Sequence, residues 1–162
     1  MPAKTIIGNL LDSDAKYIVH QTNCASEGAS GIARDIFMEY PYSNIYLNRR
    51  KLKHEDKPGT IIIRGNGKEE RYIINLMGQY FPGPPTTERQ IDTEEKRKKY
   101  FFQGLQEVAK IKDLDSVAFP DHIGCGLAAG NWEFYEGLIN KFADYVEKEQ
   151  GAKVFIYKLP SL

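Results

Sequence analysis

Short apolar runs bounded by glycine, asparagine or proline alternate with longer stretches in which apolar residues recur at helical spacing. The short runs predict six β-strands, at residues 4–7, 17–21, 59–64, 71–77, 116–119 and 153–158. The longer stretches predict four helices, at residues 30–39, 42–52, 92–110 and 132–150. The alternation of strands and helices predicts a single three-layer α/β/α domain with a central mixed sheet, spanning residues 1–162.

Three local features refine this outline. Gly65-Asn-Gly67 lies between the third and fourth predicted strands, and Asn-Gly between apolar runs favours a hairpin, so we expect those strands to pair antiparallel. The helix at 92–110 begins with the acidic run Asp92-Thr-Glu-Glu95, which complements the helix dipole. Residues 80–91 contain three prolines, so we expect an irregular loop there.

Two glycine-rich loops each follow a predicted strand and precede a predicted helix, at residues 23–33 and 123–132. Glycines let a backbone approach a ligand closely, and a helix N-terminus behind such a loop favours a phosphate group. In α/β sheets ligands bind at the carboxyl ends of the strands, which is where both loops begin. The pair therefore predicts one site for a ligand with a diphosphate, held from both sides.

Composition narrows the class of partner. The 22 basic residues balance the 22 acidic ones, which disfavours an extended nucleic-acid surface because a basic excess would be expected there. No apolar run reaches the ~18 residues of a membrane span, and the first residues lack a signal-peptide pattern. Two cysteines do not form a disulfide framework. We expect a soluble cytoplasmic monomer.

The two loops also carry a family resemblance. Val-His-Gln-Thr-Asn-Cys at 19–24, Gly-Ile-Ala at 31–33, and Ile-Gly-Cys-Gly-Leu-Ala at 123–128 followed by Trp132 resemble the macro domain family. The match is closest to the small single-domain members that process ADP-ribose derivatives. The resemblance covers the whole chain and implies a macro domain fold with ADP-ribose bound in a cleft across the top of the sheet.

The resemblance also implies roles for individual residues. Asn9 and Leu10 would flank the adenine, with Tyr157 beside it, and the two loops would wrap the diphosphate and the distal ribose. Asn23 would hydrogen-bond the distal ribose, Asn131 would help to position it, and His20 would help a water attack. The implied ligand-binding residues are Asn9, Leu10, Ser26, Gly28, Ser30, Gly31, Ile32, Gly124, Cys125, Gly126, Leu127, Ala128 and Tyr157.

This chain departs from the family pattern at three places. Asn9 replaces a usual aspartate, and an amide oxygen accepts from an adenine amino group more weakly than a carboxylate does. Asn131 stands where relatives read Gly-Asp-Trp, and asparagine cannot act as a base. Residues 75–80 contain no lysine, which disfavours the lysine-nucleophile mechanism of some relatives.

Our leading hypothesis is hydrolysis of ADP-ribose-1''-phosphate at the distal ribose, with no metal or cofactor. Two alternatives are a non-catalytic ADP-ribose reader, which Asn131 favours, and a hydrolase that removes ADP-ribose from macromolecules. His20 has two interpretations, because an imidazole can activate water near neutral pH and a strand histidine can equally be a satisfied core residue. Glu27 and Asp121 either point to solvent or replace the carboxylate missing at position 131.

Two further patterns have simpler explanations. Cys24 and Cys125 are small thiols that pack well, although together with His20 and His122 they would also make a two-His, two-Cys zinc set. The glycine spacing at 124–130 is that of a dinucleotide-binding fingerprint, but only one predicted strand follows it.

Overall fold

The computed structural model describes residues 2–47, 49, 56–86, 90–126 and 128–160. Its six strands form one sheet in the order β1-β6-β5-β2-β4-β3. Every neighbouring pair is parallel except β3 and β4. The strands are β1 (Lys4–Ile7), β2 (Tyr17–Asn23), β3 (Ile61–Arg64), β4 (Tyr72–Gln79), β5 (Ser116–Pro120) and β6 (Lys153–Lys158).

Three α-helices lie among the described residues: α1 (Gly31–Glu39), α2 (Glu94–Ala109) and α3 (Trp132–Gln150). None of these helices has the length and apolar character needed to cross a membrane. Short 3-10 helices lie at Leu10–Asp12, Pro41–Ser43 and Gln90–Asp92. The predicted strand positions and three of the four predicted helices are confirmed, with shifts of a few residues at their ends.

The helix predicted at 42–52 is wrong for residues 42–47, which form the end of a 3-10 helix and a turn. Local side-chain bonds explain the difference. The hydroxyl of Ser43 donates to the Tyr40 carbonyl, and the side chain of Asn44 accepts from the Tyr46 N–H. Such bonds compete with a regular helix. Of the rest of that prediction, Arg49 is helical as predicted, and the other residues lie outside the described residues.

Two apolar clusters cover opposite faces of the sheet and give the predicted three layers. One cluster packs α2 and α3 against the sheet, through residues such as Phe101, Ile139 and Val146. The other packs α1 through Ile36 and Phe37. The three-layer α/β/α arrangement with a mixed sheet is therefore confirmed.

The third and fourth strands pair antiparallel as predicted, with Ile61 opposite Leu76 and Arg64 opposite Ile73. Their connection runs from residue 65 to residue 71 and is longer than a two-residue turn. Within it the side chain of Asn66 accepts from the N–H groups of Lys68 and Glu70. The five strands other than β3 are mutually parallel, so their carboxyl ends lie along one edge of the sheet. This edge carries both glycine loops.

Two helical glycines should respond oppositely to alanine. A methyl group on Gly104 of α2 would lie 2.5 Å from Cγ of Leu76, which is fully buried, so Gly104→Ala should destabilise the fold by about 1–3 kcal/mol. A methyl group on Gly137 of α3 would meet nothing within 4 Å, so Gly137→Ala should stabilise the fold by about 0.5–1 kcal/mol. Urea unfolding of both variants checks this, and equal effects would contradict the packing of α2 on β4.

Candidate functional site

Consecutive strand ends place five chain segments side by side along the carboxyl edge. Backbone hydrogen bonds join neighbours: Gly8 N–H donates to the Lys158 carbonyl (2.8 Å), Asp121 N–H to Tyr157 (2.8 Å), and Cys24 N–H to Tyr80 (2.9 Å). We call residues 24–30 loop 1, residues 121–131 loop 2, and residues 80–86 the 80–86 segment. The order along the edge is Asn9, Tyr157, loop 2, loop 1 and the 80–86 segment.

Loop 1 is shaped by the side chain of Asn23 at the end of β2. Its Oδ1 accepts from the N–H of Ala25 (3.0 Å) and from that of Ser26 (2.7 Å). The side-chain nitrogen of Asn23, Nδ2, has no hydrogen bond with another described residue. Asn23 lies at the floor of the loop and is 8% exposed. The carbonyl of Asn23 is thus used to build the loop, while its NH₂ group stays available.

Arg49, which the sequence did not indicate, holds loop 1 from below. Its guanidinium donates to the carbonyls of Asn23 and Ser26, both at 2.8 Å, and pairs with Asp56 at 2.7 Å. It stacks over the ring of Tyr46, whose hydroxyl accepts from the Asn23 N–H. Since the guanidinium is buried, these contacts fix the loop backbone and leave the charge facing the protein.

The glycines of the two loops fall into two groups. A methyl group on Gly124 would crowd the side chain of Gln21, and one on Gly130 would lie 2.6 Å from the Gly124 carbonyl. The left-handed φ of +76° at Gly124 and the backbone contact at Gly130 therefore favour glycine at both positions. A methyl group on Gly28, Gly31 or Gly126 would meet nothing within 4 Å. The space above these three glycines is open to the cleft.

The N-terminus of α1 behind loop 1 differs from those of the other helices. Ser30 stands at its N-cap but makes no side-chain cap bond, whereas Thr93 caps α2 and Asn131 caps α3. The first N–H groups of α1 therefore receive no N-cap hydrogen bond from the Ser30 side chain. Ile32, in this first turn, is 37% exposed although Ile36 one turn later is fully buried. This end of α1 thus borders the cleft and can accept an anion.

Loop 2 is closed by bonds within it, from the N–H of Gly130 to the Gly124 carbonyl and from that of Ala129 to the Gly126 carbonyl. The Oδ1 of Asn131 accepts from the Phe134 N–H (3.3 Å) and so caps α3. The catalytic part predicted for Asn131 stays a prediction, because the cap alone accounts for an asparagine here. Leu127, predicted to bind ligand, lies outside the described residues.

Asp121 and His122 form a pair at the start of loop 2. The Oδ2 of Asp121 is 2.6 Å from Nδ1 of His122, whose ring stacks on Trp132 at 5.0 Å between ring centres. Because a carboxylate only accepts, Nδ1 donates and Nε2 of neutral His122 carries the free lone pair. The side chain of His122 is 57% exposed, and the Asp121 carboxylate faces this ring.

His20 lies in the core and has no exposed surface. The amide nitrogen of Asn75 donates to the carbonyls of Ser43 and Ile62, so its oxygen must accept from Nε2 of His20 (2.7 Å). Burial lowers the pKa of His20 to about 4, which keeps the ring neutral. The ring has no exposed surface through which to reach a water in the cleft, and the predicted action of His20 on a water stays a prediction.

Burial of His20 makes stability depend on pH. The unfolded chain protonates this histidine below about pH 6.5, whereas the folded chain resists protonation down to about pH 4, so acid should remove up to about 3 kcal/mol of stability across that window. His20→Gln, which can still donate to Asn75, should flatten the pH dependence of urea unfolding between pH 6.5 and 4. His122→Asn, at an exposed site, serves as the control. Equal acid sensitivity in wild type and His20→Gln would contradict this assignment.

The two cysteines behave as packed thiols. Burial raises the pKa of Cys24 to about 12 and that of Cys125 to about 11, so neither is a thiolate near neutral pH. Among the described residues no group of three or more histidine, cysteine or acidic side chains is arranged to hold a metal ion. His20, Cys24, His122 and Cys125 do not form such a group, and Nε2 of His20 is bonded to Asn75 in the core.

The residues predicted to flank adenine lie at the other end of the edge. Asn9 is exposed and its Oδ1 accepts from the Leu11 N–H (3.0 Å). Leu10 is buried, and the half-buried ring of Tyr157 packs against the same apolar cluster. Asn9 and Leu10 follow β1, and Tyr157 lies on the adjacent strand β6; their contact with adenine stays a prediction.

A family model described as the macro domain matches residues 19–136. This chain belongs to the macro domain family. The narrower resemblance to members that process ADP-ribose-1''-phosphate stays a prediction. An uncharacterized 17.5 kDa protein from the tk-vs intergenic region of Enterobacteria phage T4 is 26% identical over 155 residues, covering 91% of this chain and 94% of the relative.

Solved structures share the fold over nearly the whole chain. A protein of unknown function from Bacteroides thetaiotaomicron has a TM-score of 0.75 at 26% identity, covering 97% of this chain and 98% of that one. Thermosipho africanus DarTG, solved in complex with ADP-ribose, has a TM-score of 0.69 at 16% identity, covering 96% of this chain and 41% of that one.

Proposed function

We propose that this macro domain binds ADP-ribose, or a derivative of it, along the carboxyl edge of the sheet. The observation that carries the proposal is the order of segments there. Neighbouring strands lie about 4.8 Å apart, so the four intervals between five adjacent strand ends give a cleft about 19 Å long. Adenine fits the end at Asn9 and Tyr157, the diphosphate fits between the loops, and the distal ribose fits near Asn23. The related DarTG structure was solved with the same ligand.

The chemistry of the middle of the cleft supports a diphosphate. Gly28, Gly31 and Gly126 leave open space over the backbone, which a bound group can approach closely. The uncapped first turn of α1 adds N–H donors and the positive end of a helix dipole. The nearby cation Arg49 is engaged by Asp56 and by backbone carbonyls, so backbone amides are the groups that would hold the phosphates.

Two loop glycines should separate binding from stability. Gly126→Ala should leave the unfolding midpoint unchanged, because its methyl group meets no protein atom, and should weaken ADP-ribose binding about tenfold by crowding the ligand. Gly130→Ala, which crowds the Gly124 carbonyl, should lower stability by about 1–3 kcal/mol. Calorimetric titration and thermal unfolding measure both. If wild type fails to bind ADP-ribose at millimolar concentration, the proposed function is wrong.

Catalysis is a second candidate function, and the Asp121–His122 pair favours it. His122 presents an exposed Nε2 lone pair on a ring oriented by a carboxylate, an arrangement suited to accepting a proton from water. The candidate reaction is hydrolysis at the distal ribose, with ADP-ribose-1''-phosphate as the leading substrate and ADP-ribosylated macromolecules as the alternative. The buried, neutral His20 and the amide of Asn131 favour the non-catalytic reader, which we propose as the first function.

Asn131→Asp tests whether a carboxylate at position 131 is needed for turnover. Aspartate caps a helix as well as asparagine does, so stability should change by less than about 0.5 kcal/mol. Phosphate release from ADP-ribose-1''-phosphate should be at background for wild type and should rise at least about tenfold in Asn131→Asp. Substantial wild-type turnover that is lost in His122→Ala would establish the hydrolase and contradict the reader.

A further inference from the structure

Asp92, which lies just before α2, is a fully buried aspartate. Asp92 was predicted to start the helix, but it precedes the Thr93 cap and lies in the core with no exposed surface. Its carboxylate accepts from the N–H groups of Tyr80 (2.8 Å) and Phe81 (3.0 Å) and from Arg97 (2.6 Å). Burial opposes ionisation of Asp92, and these three donors outweigh it, so that the pKa is lowered.

Arg97 extends this contact to the other side of the cleft. Its Nη2 donates to the Phe81 carbonyl (3.1 Å), and its Nη1 donates to the carbonyls of Gly83 (2.7 Å) and Ala128 (3.4 Å). The side chain is 2% exposed. One guanidinium, oriented by Asp92, therefore touches two carbonyls of the 80–86 segment and one of loop 2.

These bonds connect every wall at the distal end of the proposed cleft. The 80–86 segment also contacts loop 1, because the Tyr80 carbonyl accepts from the Cys24 N–H. It contacts the sheet through Gln79, whose amide donates to the Phe81 carbonyl (2.7 Å). Since loop 2 meets this segment through Arg97, displacement of the guanidinium changes the separation between loop 2 and the 80–86 segment.

We propose that Arg97 is a positioning residue, which sets the width of the cleft between loop 2 and the 80–86 segment and so the fit of the ligand beyond its adenosine. The inference rests on the proposed function, because it assumes that ADP-ribose lies along this edge. The affected part is the distal ribose and the phosphate next to it. The adenosine end is formed by Asn9, which follows β1, and by Tyr157 of β6, and neither residue has a bond to Arg97.

The test compares two ligands on Arg97→Lys. Lysine keeps the positive charge beside Asp92 but lacks the planar fork that reaches several carbonyls at once. Binding of ADP-ribose should weaken about tenfold, which corresponds to the loss of one hydrogen bond to a charged group, whereas AMP affinity should change less than about twofold. A general loss of structure would weaken both ligands alike, so the ratio of the two affinities isolates positioning. The measurement is calorimetric titration of each ligand.

Arg71→Lys is the matched control. Arg71 also donates to two backbone carbonyls, those of Ser13 (2.8 Å) and Ala15 (2.6 Å), but it precedes β4 and lies at the opposite edge of the sheet. This variant should lower the unfolding midpoint and leave the affinity ratio unchanged.

A second variant keeps the inference testable if Arg97→Lys does not fold. Gly83 has a φ of +81°, and a methyl group there meets nothing within 4 Å, so Gly83→Ala strains only the backbone that presents the carbonyl to Arg97. Gly83→Ala should also weaken ADP-ribose binding relative to AMP binding, by a smaller factor than Arg97→Lys does. An unchanged ratio in the variant that folds, with wild type binding ADP-ribose, would overturn the inference. Failure of wild type to bind ADP-ribose would overturn the proposed function instead.

Discussion

The loops at the carboxyl edge of the sheet carry more backbone carbonyl groups than the strands can pair, and two buried arginines supply the missing donors. Arg49 serves the carbonyls of Asn23 and Ser26, and Arg97 serves those of Phe81, Gly83 and Ala128. A carboxylate holds each cation, Asp56 for Arg49 and Asp92 for Arg97. A buried polar group without a partner is costly, so these irregular loops persist because the arginines satisfy them.

Using buried arginines in this way has a consequence for the site. Arg49 and Arg97 donate to backbone carbonyls and so are not free to bind a ligand. The backbone N–H groups of the loops and of α1 are then the donors to an anion. This agrees with the balanced composition of 22 basic and 22 acidic residues, since a ligand held by amides requires no basic surface. The same arrangement makes the site depend on loop geometry more than on any one charged side chain.

The sequence predicted the strands, the mixed sheet and the two loops because these depend on local periodicity and on turn residues. The environment of His20 depends on which strand lies beside it, and nothing in the chain indicates that Asn75 of β4 is its neighbour. Local pattern therefore left both interpretations of His20 open, and the structure favours the core residue. For Arg97 a signal was present. It lies four residues before Phe101, on the face of α2 whose other members are apolar, and a lone arginine on such a stripe indicates a buried cation that is paired with groups of the protein.

Asn131 shows why a residue type alone does not reveal chemistry. Its Oδ1 caps α3, and asparagine and aspartate serve that purpose about equally. Folding therefore places no penalty on an exchange of one for the other, and the helix cap does not select between an amide and a carboxylate at this position. Catalysis does distinguish them, because only the carboxylate can accept a proton. Because the helix cap does not distinguish asparagine from aspartate, the choice of asparagine here bears on reactivity and not on folding. The two glycine loops are informative for a related reason, since packing and left-handed backbone conformation explain Gly124, Gly130 and Gly31 and leave Gly28 and Gly126 to be explained by a ligand.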